Sequence, residues 1–199
     1  LGVTELNPNT SFNIDNLINE IFLNEFKNYN SPIIVQVYSL KFLSTFRQQI
    51  SDKNKLTQII IELIKILENC NNVTQNACLL CLDLIINMKN INTRQSPTIE
   101  IINDDNIFNK LIKTLLIFIE KNINLFAMRC LYRTLKLTQD QKLQKIANDI
   151  TNYMDNILKL IINQPQNDEF NYYFFETCVL IMNKFTSNNN NDLTLIKKF

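Results

Sequence analysis

Residues 51–88 read SDKNKLTQIIIELIKILENCNNVTQNACLLCLDLIINM. In the first half Leu56, Ile59, Ile60, Leu63, Ile64 and Leu67 recur at spacings of three and four, which places them on one face of a helix. Ser51 stands ahead of them as an N-cap, and a helix is expected over 52–69. Asn71 and Asn72 interrupt the pattern, and a second helix is expected over 73–88. Two amphipathic helices joined by so short a turn pair as a hairpin, so the fold depends on whether the hairpin recurs.

It recurs on both sides. Upstream, Ile14, Leu17, Ile18, Ile21 and Phe22 give a helix over 12–27. Ser31 as N-cap and Pro32 in the first turn open its partner, which runs through Val37, Leu40, Leu43 and Phe46 to residue 49. Downstream, NINTRQSPTIEIINDD with its Pro97 reads as the one long irregular piece, an inter-repeat loop. Helices are then expected over 104–120 and, after a break at Asn122 to Asn124, over 123–137. Thr138 and Gln141 form a capping-box pattern that opens the longest helix, 139–162, with Leu143, Ile146, Ala147, Ile150, Met154, Ile157, Leu158 and Ile161 on its apolar face. Gln164 and Pro165 end it, and a last helix covers 170–186. With Gly2 the sole glycine, asparagine is expected to fill the left-handed positions that end helices.

The second helices of the hairpins begin near 32, 73, 123 and 170, in steps of 41, 50 and 47 residues. That period fits HEAT and armadillo units of about 40–47 residues better than tetratricopeptide units of about 34. The expected fold is all-α, an α-α superhelix of the HEAT/armadillo-like solenoid type with about four hairpins, at 12–49, 52–88, 104–137 and 139–186. Residues 187–199 would start a further repeat. The opening Leu1 and the closing LTLIKKF, which stops inside an amphipathic pattern, suggest a segment of a longer chain.

Composition narrows the chemistry. At 199 residues and 46% hydrophobic content the chain can bury a substantial core. Its 20 Lys and Arg against 19 Asp and Glu give no net basic field, so neither nucleic acid nor a membrane surface is expected as a partner. One glycine leaves no material for Walker or dinucleotide-binding loops, and the absence of histidine removes Ser-His and Cys-His nucleophile pairs and His-containing zinc sites. Cys78 and Cys81, spaced i, i+3 in ACLLCLDLII, have no second pair to complete a metal site and read as small core residues. No cofactor is expected. The most enzyme-like set is Glu176 with Tyr172 and Lys184, which lacks a nucleophile, a metal and a phosphate loop, so no enzymatic activity is expected.

The stretch EFNYYFFETCVLIMNKF, 169–185, places Phe170, Tyr173, Phe174, Cys178, Ile181 and Phe185 on one face, expected to pack between hairpins, with Tyr172 and Phe175 pointing elsewhere. Its words also resemble the FNHYLFEAIC segment of the CAS exportins, the branch of the importin-β superfamily that returns importin-α to the cytoplasm. KFLSTFRQQI, 41–50, is similar to that family's KYIMIFRNQV, with Lys41, Phe46, Arg47 and Gln49 matching in register. NLFAMRCLYR, 124–133, is similar to its NEYIMKAIMR, with Asn124, Met128 and Arg133 matching and Arg129 in place of Lys. The loop at 89–103 and the run NNNN at 188–191 depart from the family pattern.

The resemblance implies a central HEAT-repeat portion of a monomeric transport receptor that wraps Ran-GTP together with importin-α and shuttles between nucleus and cytoplasm without doing chemistry itself. A generic HEAT scaffold, such as a phosphatase or coat-complex subunit, or another importin-β-family receptor is the alternative. In that superfamily the first helix of each hairpin faces outward and the second lines the concave side. On this assignment the second helices carry Lys41, Arg47, Arg129, Arg133, Lys136 and Lys184 against Asp83 and Glu176, a net of +4, and the first helices sum to −3. Lys41, Arg47, Arg129, Arg133 and Lys136 are therefore the candidate partner-binding residues, arginine being able to engage both oxygens of a carboxylate. The competing assignment has these arginines bridge neighbouring helices through Asp83 and Glu176.

Overall fold

The computed structural model describes residues 14–18, 22–27, 31–50, 52–90, 93–163 and 167–186. The helices are α1 (Ile14–Leu17), α2 (Leu23–Lys27), α3 (Ile33–Phe46), α4 (Lys53–Asn69), α5 (Asn72–Ile86), α6 (Ile99–Ile102), α7 (Asp105–Lys121), α8 (Leu125–Leu137), α9 (Asp140–Asn163) and α10 (Asp168–Thr186), with a 3-10 turn at Arg47–Gln49 closing α3. Among the described residues there is no strand, as the periodicity predicts, and no helix is long and apolar enough to cross a membrane.

The helices form two layers. One contains α2, α4, α7 and α9 in succession and the other α3, α5, α8 and α10, and each helix of the first layer packs against its partner in the second. The apolar stripes meet between the layers. Ile59, Ile60 and Leu63 of α4, Leu79 and Leu82 of α5, Leu111 and Leu115 of α7, Met128 and Leu131 of α8, and Ile150, Met154 and Ile157 of α9 are all buried in one continuous cluster. Each such side chain contributes about 1.5–3 kcal/mol of hydrophobic burial, so the stripe rather than helix propensity holds the hairpins shut. In α10, Phe170, Phe174, Cys178 and Ile181 are buried, Tyr173 packs against them, and Tyr172 and Phe175 are exposed, as their spacing predicts. The side chain of Phe185 and the residues 187–199 lie outside the described residues.

The helix ends differ from the sequence reading in their chemistry. Ser31 does not cap α3. Its hydroxyl donates to Glu25 Oε2 at 2.6 Å, a charged acceptor that outcompetes a backbone cap, and the carbonyl of Pro32 opens the helix by accepting the N–H groups of Val35 and Gln36. Ser51 lies outside the described residues, and Asp52 caps α4 through the N–H of Asn54. The Thr138–Gln141 capping box does not form. Thr138 is buried and its hydroxyl donates backward to the carbonyl of Thr134 at 2.7 Å, while the carbonyl of Gln139 opens α9.

Asparagine takes helix ends, though not in the left-handed form. Asn87, Asn103 and Asn122 end α5, α6 and α7 with φ of −83°, −87° and −142°, and Arg94 at 56° has the sole positive φ among described non-glycine residues. Asparagine is used more heavily at starts. The Asn71 side chain accepts from the N–H groups of Val73 and Thr74, Asn124 from Ala127, and Asn167 from Phe170. Within the expected 89–103 loop, Ile99–Ile102 make one helical turn, α6, because Ile101 and Ile102 find a place in the core beneath it.

Candidate partner-binding face

The candidate cations lie on α3 and α8, both members of one layer. Lys41 is exposed and its ammonium sits 5.9 Å from the ring centre of Tyr38, one turn earlier on α3. Arg47, in the 3-10 turn, donates through Nη1 to the carbonyl of Ser44, and its buried Nε has no hydrogen-bond partner among the described residues. Lys136 is exposed on the last turn of α8, 5.7 Å from the ring centre of Tyr132.

Arg129 and Arg133 share one partner. Asp83 is fully buried on α5, and its carboxylate faces the adjacent α8, where residues four apart stand one above the other. Arg129 donates to Asp83 Oδ2 from Nε at 2.9 Å and from Nη2 at 2.7 Å, and Arg133 donates from Nη1 to Oδ1 at 2.6 Å and to the Asp83 carbonyl at 3.1 Å. Burial works against the Arg129 charge, but the hydrogen bond and charge of Asp83 outweigh it and hold its pKa above the usual value. Arg129 also lies over the ring of Phe126, 5.2 Å from its centre. The Asp83 half of the bridging assignment is thus realised: two guanidinium groups on one carboxylate leave a net charge of +1, two-tenths exposed on the arginine side.

This cluster is one rung of a polar ladder between successive hairpins. In the same layer the hydroxyl of buried Thr74 donates to Gln36 Oε1 at 2.9 Å and Asn124 Nδ2 donates to Asn76 Oδ1 at 2.7 Å, while Lys184 of α10 reaches the α8–α9 turn at the carbonyl of Thr138 and the carboxylate of Asp140. In the other layer Lys110 pairs with Glu68 at 3.0 Å and Asn156 Nδ2 donates to Glu120 Oε1 at 2.9 Å. Asn103 links α6 to the α8–α9 turn by donating to the Leu137 carbonyl and accepting the Gln139 N–H, each at 3.0 Å.

The enzyme-like trio is not assembled. Lys184 is drawn to Thr138 and Asp140, while Glu176 stays beside Tyr172, where its charge raises the phenol pKa. The buried thiols are core residues. Burial, opposed by a Ser44 hydrogen bond and by Arg47, pushes Cys81 up to about 12, and burial pushes Cys178 to about 12. Cys78 and Cys130 are buried and shifted upward in the same way. Among the described residues no three His, Cys, Asp or Glu side chains converge as a metal site would require.

One feature escaped the sequence reading. Arg133 and Lys136 line a cavity together with Lys89 and Arg94, which belong to the segment read only as a connecting loop. Spacing gave no sign of this, because loop residues follow no helical period.

Two family models cover the chain between them. Residues 83–199 match the model described as "CAS/CSE protein, C-terminus", and residues 1–81 match the one described as "Cse1". No curated protein and no solved structure matches the chain.

Proposed function

Because the chain belongs to the CAS/CSE family of importin-β-type exportins, we propose that it forms part of a nuclear transport receptor that carries importin-α out of the nucleus in complex with Ran-GTP. The observation that carries this reading is the succession of two CAS/CSE family matches along one ladder of packed helices. The segment acts as a non-catalytic scaffold inside a longer, monomeric receptor that shuttles between nucleus and cytoplasm. On this reading its four hairpins at 12–49, 52–88, 104–137 and 139–186 are HEAT repeats. Solenoid repeats touch only their neighbours, so small rotations at each seam add along the array and let a receptor close around a partner.

Lys41, Arg47, Arg129, Arg133 and Lys136 are the partner-facing charges of this reading. Lys41 and Lys136 are supported by exposure, and the Arg129–Arg133–Asp83 group by its residual positive charge. The decisive experiment is capture of importin-α by the intact receptor with Ran loaded with GTP or GDP. Capture in the GTP state alone is the expected result, and capture indifferent to Ran would point to a generic scaffold. Within that assay Lys41→Glu is expected to weaken the ternary complex several-fold without moving Tm, since an exposed ion pair is worth about 0.2–1 kcal/mol. Arg129→Glu with Arg133→Glu lowers Tm as well, because it strands Asp83.

A further inference from the structure

The C-terminal turns of α5 and α8, with Lys89, Arg94 and Ser96, line an open cavity of about 270 Å³. Lys89, Arg94, Arg133 and Lys136 line it, and no Asp or Glu does. Arg133 is committed to Asp83. Lys89, Arg94 and Lys136 have no carboxylate partner among the described residues. Cations near a helix C-terminus offset the helix dipole, which accounts for Lys136 and for Lys89 just beyond α5, but Arg94 is on no helix.

Arg94 also has an unusual backbone. Its φ of 56° lies in the left-handed region, which asparagine and glycine tolerate better than arginine. In a chain where asparagine is abundant and occupies neighbouring Asn90, this position holds a cation instead. The Arg94 N–H donates to the Asn90 carbonyl at 2.8 Å, Asn90 N–H donates to the Gln95 carbonyl at 2.8 Å, and the Ser96 hydroxyl lies 2.8 Å from that of buried Thr98. A strained backbone position held by hydrogen bonds, whose side chain lines a cavity without a carboxylate partner among the described residues, is a pattern that function rather than packing explains.

We infer that this cavity is a docking site for an acidic peptide segment of a partner protein, with Lys89, Arg94 and Lys136 pairing its carboxylates beside the ring of Tyr132. A peptide is favoured over nucleic acid because the chain as a whole has a formal net charge of only +1 and the cations converge on one cavity rather than tracking along a stripe. The cavity shares Arg133 and Lys136 with the proposed transport face, and Lys89 and Arg94, which lie outside that set, are what the test varies so that the two readings fail separately.

The test is binding of a fluorescein-labelled hexaglutamate peptide to the intact protein at low ionic strength, followed by fluorescence anisotropy. The variant Lys89→Gln with Arg94→Asn is expected to weaken binding about tenfold, the loss expected for two exposed ion pairs acting on one ligand. Its Tm should equal or exceed the original, because asparagine suits the left-handed backbone at 94. Arg94→Lys should retain most of the affinity, while Lys113→Gln with Lys121→Gln, exposed on the other layer, should leave it unchanged. Equal affinity in the Lys89/Arg94 variant and the original overturns the proposal. So does oligothymidylate of the same charge binding as tightly as the peptide, which would mark a nucleic-acid groove instead.

Discussion

Asp83 ties α5 to α8 through a carboxylate buried to 1% exposure, and its two arginine partners are the reason a charge is tolerated there. Removing one member of such a buried cluster costs more than the cluster contributes, because the remaining charges are stranded. Asp83→Ala is therefore expected to lower stability by about 3–5 kcal/mol in urea titrations. Arg129→Ala should cost less, since Arg133 stays on the other carboxylate oxygen. Replacing all three by apolar residues of similar size should recover most of the loss. The buried thiols make a second residue-scale prediction. Cys81 and Cys178 have folded-state pKa values near 12 against an ordinary 9.0, so each binds its proton more tightly folded than unfolded. Their contribution is complete below pH 9 and is lost as pH rises from 9 towards 12. Tm should fall across that range, and Cys81→Ala should make the fall shallower.

At the scale of the helix, what was legible and what was not divides along a physical line. The apolar stripes of α4, α7 and α9 were readable because burial imposes a fixed period on sequence, and the hairpin pairing followed from the short turns. Caps were less legible because a hydroxyl or amide side chain has several competing partners, and tertiary contacts choose among them. Ser31 goes to Glu25 and Thr138 to the preceding turn. The Asp83 cluster was visible only as one of two alternatives, since spacing shows that Arg129 and Arg133 share a face but not that Asp83 lies opposite. The asparagine starts give a direct check. Asn71 satisfies two backbone donors of α5 and its Nδ2 reaches Thr74 Oγ1 at 3.2 Å, so Asn71→Ala should cost about 1 kcal/mol and Asn71→Asp markedly less. Thermal denaturation of the two variants side by side separates the capping oxygen from the rest of the side chain.

For the whole molecule the consequence of a ladder is that damage stays local. Contacts within each layer run chiefly from one helix to the next, α3 to α5 to α8 to α10, so α10 leans on α8 and α9 and only through them on α5 and α3. Phe174, 1% exposed, fills the space between α10 and the rest of the core. Phe174→Ala should therefore cost about 3–5 kcal/mol, but only at one end of the array. Hydrogen exchange is the measurement that sees where. Amides of α9 and α10 should lose protection, those of α8 should lose some through Tyr132 and Tyr173, which lie 5.7 Å apart, and those of α3 and α4 should keep theirs. A globular domain with one closed core would lose protection throughout, because each element there leans on all the others. A gradient that decays over one hairpin is the signature of nearest-neighbour stacking, and it is the property that lets such a scaffold bend at one seam while the rest stays folded.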